Sequence, residues 1–346
     1  MRGRRTGSEE KVLERIRRAF VGSDLPAARA GLRSEGRSKF LTLGIGDDAA
    51  LVSGTPGYEI VLTCDWFLEG MHFLRDKHPG DAVGWKCLAR AVSDLAAMGA
   101  VPSCFLLSLA LPRELASSWL DDFLKGLRRA AKRFGCSLAG GDTTERREVL
   151  INVTVVGEVQ RGREMRRSGA RPGDIIYVSG RLGEAELGLR LLRERKRGLG
   201  VWGARFRKHL YPEPRLELGR WLSEKRVASA MMDVSDGLSS DLRRLCKASR
   251  VGAVISLDQL PAVRVTKLER NRGVDPLQLA LHGGDDYELL FSVPKSKANR
   301  LLCSLGGVAI TPIGEITPTP EVMIADGNDR SRVLEPRGWD PFRRSK

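Results

Sequence analysis

Five short acidic segments each close an apolar run: GIGDD ending at Asp48, LTCD at Asp65, AGGD at Asp142, MMDVSD at Asp236 and HGGDD at Asp286. A carboxylate at the mouth of a strand, beside glycine or another small residue, is well placed to meet a metal. Several of them converging would hold more than one hard cation such as Mg2+, which takes oxygen ligands and bridges to phosphate. The implied chemistry is metal-dependent phosphate transfer, with a nucleotide as the leading substrate class.

Each segment also has a plainer reading. Gly44, Gly46 and Ala49 satisfy a GxGxxA dinucleotide fingerprint. However, Asp47 and Asp48 stand where a pyrophosphate would sit, and AALV reads as a strand rather than a helix. GIGDD is therefore taken as a ligand-bearing loop. In the helix expected over 81–98, Cys87, Ala91, Asp94 and Met98 share a face beside Leu88, Val92 and Leu95. Asp94 thus points to the apolar side, where a carboxylate needs a cation, a hydrogen-bond network or a raised pKa. A Ser/Asp core network satisfies this; a metal or metal-bound water is the preferred account. In MMDVSDGLSSDL, Asp233 and Ser235 alternate with Val234 at strand spacing, and Asp236 falls where a helix begins, as either N-cap or ligand. Gly140–Asp142 reads as a loop in which the missing side chains let backbone approach a ligand. Thr143 and Thr144 begin a turn. No GxxxxGK[ST] loop, HRD or DFG signature, GxSxG elbow, CxxC pair or HExxH spacing occurs.

The 346 residues suffice for two domains, and 42% hydrophobic with 29% charged residues is a globular composition. No stretch approaches the roughly 18–20 apolar residues that span a bilayer. The basic N-terminus lacks the apolar core of a secretory signal. Six scattered cysteines suit reduced thiols in a cytoplasmic enzyme. The net charge of +15 favours polyanions. With aromatics at only 6% and no interleaved stacking pattern, a solvated basic surface is preferred over nucleic-acid binding.

A helix is expected over 9–20, then a Gly/Ser/Arg-rich loop over 22–39. Strands LTLGIGDDAALV and YEIVLTCDWF follow, then helix 81–98, strand CFLLSLALP, helix 114–134, and strands SLAGGD and VLINVTVVGEV. A charged connector begins near residue 161. Beyond it are strand DIIYVSG, helices 183–195 and 213–225, strand ASAMMDVSD, helix 237–249, strands GAVISLD and YELLFSVP, and a strand pair over 308–325. This alternation argues a layered α/β (α+β) fold. The expected divisions are a basic, partly mobile arm (1–39), an N-terminal domain (40–160) and a C-terminal α/β domain (161–346).

The ordered set GIGDDAALV, LTCDWFLEGMHF, SDLAAMGA, GGDTT, RSGARPGD, DVSDGLSSDL and GGDDYELLF resembles the thiamine-monophosphate kinase family, within the aminoimidazole-ribonucleotide-synthetase-like ATP-binding superfamily. The resemblance spans roughly residues 40–340. It implies a homodimer whose N-terminal mixed sheets pair across the subunits, with a C-terminal α/β domain closing the cleft. It also implies ATP as co-substrate, several Mg2+ ions, and phosphoryl transfer to thiamine monophosphate. At matching positions it makes Asp48, Thr63, Asp65, Asp94, Asp142, Asp233 and Asp236 metal ligands, direct or through water. Gly141, Asp142, Arg167 and Ser235 become nucleotide contacts, and His72, Asp285 and Trp339 the substrate pocket. Trp339 reads equally as an anchor for the tail, and His72 as a loop histidine. The chain departs from the commonest pattern at Cys64, where Thr or Ser is usual, and at Asp285, one methylene shorter than Glu. Since the acceptor is already a phosphate anion, no protein general base is expected; positioning and charge neutralisation carry the rate. Alternatives are another ATP-using synthetase of the superfamily and, from a different class, a basic RNA-associated protein whose binding falls steeply with salt.

Overall fold

The structure, a computed structural model, describes residues 9–21, 41–43, 51–194, 203–326 and 331–342. Asp48 with the rest of its GIGDD loop, and the loop expected over 22–39, lie outside the described residues. The chain divides into two compact units, one of residues up to Leu95 with Val101–Arg161, the other of Ala96–Ala100 with Gly162 onward.

The first unit contains α1 (Glu9–Val21), β1 (Leu41–Leu43), β2 (Leu51–Val52), β3 (Tyr58–Leu68), α2 (Gly80–Ala97), β4 (Val101–Leu111), α3 (Ser118–Phe134), β5 (Ser137–Glu145) and β6 (Leu150–Gln160). The last turn of α2 groups with the second unit. Its four-stranded sheet runs β3-β6-β4-β5, antiparallel except for the β4–β5 pair. Strand register builds rows across the sheet: Thr63, Val155 and Phe105; Asp65, Val153 and Leu107; Phe67, Ile151 and Leu109. The apolar members of these rows are buried, because side chains two residues apart share a face. The alternate residues of β3 and β4, including Ile60, Leu62, Trp66 and Leu106, leave the other face apolar and exposed. Helices α2 and α3 meet where glycine permits it. A Cβ on Gly126 would lie 1.8 Å from the Asp81 carbonyl, and one on Gly84 2.0 Å from that of Phe123.

The second unit contains β7 (Ile175–Ser179), α4 (Glu184–Glu194), α5 (Ala204–Leu210), α6 (Leu216–Lys225), β8 (Ala230–Val234), α7 (Leu238–Ser249), β9 (Gly252–Ser256), α8 (Lys267–Asn271), α9 (Pro276–His282), β10 (Glu288–Val293), β11 (Ser304–Leu305), β12 (Val308–Thr317), β13 (Val322–Ala325) and β14 (Ser331–Val333). The sheet runs β14-β13-β9-β12-β7-β10-β8, with only β13–β9 parallel. Val178, Met232, Val234 and Leu290 enter one buried cluster, while Tyr177, Met231, Leu289 and Phe291 enter another. Alternation on each strand thus buries both faces, which is why DIIYV and ELLFSV are nearly unbroken apolar runs. The two strands expected over 308–325 form, but they flank β9 instead of pairing with each other.

Three local expectations differ from the structure. Gly140–Asp142 is not a loop; it lies inside β5. Gly141 is the register partner of Leu107, and a Cβ there would lie 1.8 Å from the Leu107 carbonyl, so strand pairing itself demands glycine. Likewise β8 ends at Val234, so Ser235 is not a strand residue. Gly237, not Asp236, occupies the N-cap of α7.

Candidate active site

In the first unit, β3 and α2 face each other with chemistry-bearing residues in step. Thr63 and Asp65 share one face of β3 because they are two residues apart. Arg90 and Asp94, four apart, share one face of α2. The Thr63 hydroxyl donates to Asp94 Oδ2 at 2.5 Å, and Arg90 Nη2 lies 3.8 Å from Asp65 Oδ1. Arg90 also covers the Phe67 ring at 5.5 Å, and Phe67 stacks on His72 at 5.9 Å. His72 Nδ1 accepts from the Leu68 amide at 3.0 Å, which fixes the turn after β3. Asp94 is half-buried, and the Thr63 bond answers part of its need for a partner.

Cys64 points to the opposite face, where its Sγ lies 3.1–3.3 Å from the Asn152 side-chain amide. Asp142 is the register partner of Ser108, one position off the Asp65 row. It is exposed, and its Oδ1 accepts from the Thr143 amide at 2.9 Å. Beside it lies a cavity of about 270 Å³, lined by Val12, Pro112, Arg113, Thr143, Thr144 and Glu145, among others. The Thr143 hydroxyl is buried there without a hydrogen-bond partner.

In the second unit the candidate residues come together through backbone bonds. The Asp285 amide donates to the Ser235 carbonyl at 2.8 Å, and the Trp339 amide to the Asp236 carbonyl at 2.8 Å. Two segments, roughly 50 and 100 residues further along the chain, are thereby stitched to the loop after β8. Gly284 and Gly338 permit this, since a Cβ on either would press on the Ser235 or Asp236 carbonyl, at 2.7 and 2.1 Å. Asp285 holds φ at +66°, uncommon for a non-glycine residue, and its Oδ1 accepts from the Tyr287 hydroxyl at 2.7 Å. Trp339 keeps its side chain exposed although its backbone is anchored. Asp233 is buried at the end of β8. Arg167 is exposed; its carbonyl accepts from Ser249, and the neighbouring Arg166 carbonyl receives the Met231 amide on β8.

Sequence reasoning missed the residues that shape this loop. Asp241, fully buried, accepts from the amides of Ser235, Asp236 and Gly237 at 3.0–3.1 Å. Burial and the neighbouring Asp236 push its carboxyl up to about 7, against the pull of Arg244. Arg244 bridges Asp236 Oδ2 at 2.5 Å and Asp241 Oδ1 at 2.6 Å. One signal was present: Leu238, Asp241, Leu242 and Leu245 fall on a single helical stripe, so an acid sits among core positions. Among the described residues no group of three or more His, Cys, Asp or Glu side chains is close enough to hold a metal by itself.

Comparison with known proteins follows the same two units. Residues 46–159 match the N-terminal domain, and 171–326 the C-terminal domain, of the AIR synthase related proteins. The chain is 38% identical to a thiamine-monophosphate kinase of Synechococcus elongatus over 304 residues, 86% of this chain and 91% of the relative. The crystal structure of the Stenotrophomonas maltophilia thiamine-monophosphate kinase superposes with a TM-score of 0.76 at 34% identity, covering 92% of this chain and 96% of that one. A second structure, AaThiL complexed with AMPPCP and TMP, gives a TM-score of 0.74 at 36% identity, covering 86% and 92%. Identity and coverage of this extent, over both units, place the chain in the thiamine-monophosphate kinase family.

Proposed function

We propose that this chain is a thiamine-phosphate kinase that transfers the γ-phosphoryl group of ATP to thiamine monophosphate. The bond from the γ-phosphorus to its bridging oxygen breaks, a new bond forms to an oxygen of the acceptor's phosphate, and thiamine diphosphate and ADP leave. The observation that carries this reading is the stitching of Asp285 and Trp339 onto the Ser235–Asp236 loop. Because the backbones of Asp285 and Trp339 are held at this acidic turn, the reading assigns the Trp339 ring and the Asp285 carboxylate to an aminopyrimidine–thiazolium substrate there.

The donors fit Mg2+. Thr63, Asp65 and Asp94 in one unit, and Asp233 and Asp236 in the other, are all hard oxygen ligands, without a neighbouring thiol or imidazole set that would select zinc. Magnesium usually takes one or two carboxylates and completes its shell with water and substrate phosphate, so paired acids rather than closed cages suit it. Asp48 and Asp142 belong to the same proposed ligand set. When bound, the ions would neutralise the phosphates' negative charge. The protein's own residues orient the reactants: Gly141, Arg167 and Ser235 contact the nucleotide, and His72, Asp285 and Trp339 contact the acceptor. No side chain is needed to remove a proton, because the acceptor oxygen is already anionic.

The cavity beside Asp142 is assigned to the nucleoside of ATP, and the Thr143 hydroxyl to a ligand contact there. Thr143→Val keeps the shape and removes an unsatisfied buried hydroxyl. It is expected to leave the melting temperature unchanged or slightly raised while KM for ATP rises about 5-fold, near 1 kcal/mol. Steady-state kinetics beside a thermal melt checks both.

Two copies are proposed to pair through the exposed apolar face of the first unit's sheet. Leu62 is 67% exposed there and Trp66 55%, an unfavourable area to leave in water. Leu62→Asp is expected to convert a dimer into monomers in sedimentation; an unaltered dimer would rule out this face. No helix among the described residues is long and apolar enough to cross a membrane. All six cysteines are unpaired, which supports a cytoplasmic location.

The direct test is incubation with ATP, Mg2+ and thiamine monophosphate, with free thiamine as a decoy acceptor. Thiamine diphosphate formed from the monophosphate alone is expected. Product from thiamine but not from its monophosphate would overturn the assignment.

A further inference from the structure

We propose that the second unit carries an oxyanion site, for a phosphate group, in the pocket between α9 and the β13–β14 tail. The pocket is lined by Gln278, His282, Arg332 and Arg337 over an apolar floor that includes Leu281 and Ile324. Its free volume of about 50 Å³ is several times that needed for one water and far too small for a nucleotide.

Three observations point to an anion. First, two guanidinium groups and an imidazole line one small space. Among the described residues neither Arg332 nor Arg337 has an ion-pair partner, although Glu335 also borders the pocket. Guanidinium pairs are suited to phosphate, which they can grip through two parallel hydrogen bonds. Second, the cations act on one another. Burial, then Arg337, then Arg332 hold the His282 imidazole below its ordinary pKa, so positive charge is already in excess there. Third, His282 is oriented: its Nδ1 lies 2.9 Å from the Ser239 hydroxyl oxygen, leaving Nε2 as the ring's other polar atom.

The site adjoins the proposed reaction centre without belonging to it. Ser239, which anchors His282, also receives the Arg337 amide at 3.3 Å and lies in the first turn of α7, three residues after Asp236. His282 stands three residues before Asp285, and Arg337 two before Trp339. A phosphate bound here would therefore brace three segments that the reaction uses. Its binding does not depend on the kinase assignment. Two sources share this chemistry, free inorganic phosphate and the terminal phosphate of an ester.

The test is a proton–nitrogen NMR titration of the histidine rings in the full chain, with EDTA present so that no metal site retains phosphate. His282→Gln assigns the signal. Inorganic phosphate, glycerol phosphate and, at matched ionic strength, sodium chloride are added in separate arms. A saturable shift of His282, without matching shifts of His72, His78 and His209, is expected with phosphate. It should weaken at least tenfold in Arg332→Gln/Arg337→Gln, whose melting temperature is measured alongside. Saturation by phosphate alone assigns the free anion, and saturation by both assigns an ester terminus as well. No response, an equal response to chloride, or an unchanged response in a folded double variant would overturn the proposal.

Discussion

Asp65→Asn is expected to lower kcat for thiamine diphosphate formation about 1000-fold while leaving the protein folded. Asp65 is a half-buried carboxylate on the same face of β3 as Thr63, whose hydroxyl is held by Asp94. The amide keeps the size of the side chain but not the charge that draws a divalent ion. A 1000-fold loss corresponds to about 4 kcal/mol of transition-state stabilisation, within the several kcal/mol that metal charge neutralisation supplies. Stability should change little. The ion pair of Asp65 with Arg90 is 3.8 Å long and lies between partly exposed side chains. Circular dichroism with single-turnover kinetics separates the two effects. A folded variant of full activity would remove Asp65 from the ligand set.

The largest stability effect is expected at Glu288. Its fully buried carboxylate receives Arg215 through two bonds of 2.5 and 2.6 Å, the Ser179 hydroxyl at 2.5 Å, and Lys208. Burial alone would raise its pKa, but Lys208 and Arg215 hold the carboxyl below its ordinary value. Removing the acid leaves two largely buried cations without their shared counter-ion, a change that typically costs 3–5 kcal/mol. Glu288→Ala is expected to lose about that much in urea unfolding, or to fail to accumulate as folded protein. Because the folded pKa is depressed, the stability that Glu288 contributes is complete above its unfolded pKa and is lost as pH falls through the folded value. The neutral Glu288→Gln, which retains some of the hydrogen bonds, should flatten that acid limb. If both variants unfold like the parent, this network is not a stabilising element.

The parts of the fold that the sequence made legible are those governed by local rules. The strand expected over YEIVLTCDWF forms as β3, and the helix expected over 81–98 forms as α2. Helical spacing placed Asp94 toward the sheet. What was not legible depended on contacts across long separations. Gly141 suggested a loop, yet the carbonyl that excludes a side chain there belongs to Leu107 on another strand. Asp236 suggested an N-cap, yet the buried Asp241 gathers the loop amides and moves the helix start to Gly237. Glu288 attracted no notice because its partners lie 73–109 residues away. α5 was missed as well: ARFRKHL has too few apolar positions to display a helical stripe.

The measurement that bears most directly on the metal-held phosphate account is a count of bound Mn2+, by electron paramagnetic resonance, in the complex with a non-hydrolysable ATP analogue and thiamine monophosphate. More than one tightly bound ion is predicted for the parent, with at least one lost in Asp65→Asn and at least one in Asp236→Asn. The full complement retained in both folded variants would contradict the account, since the carboxylates would then have no part in holding the ions.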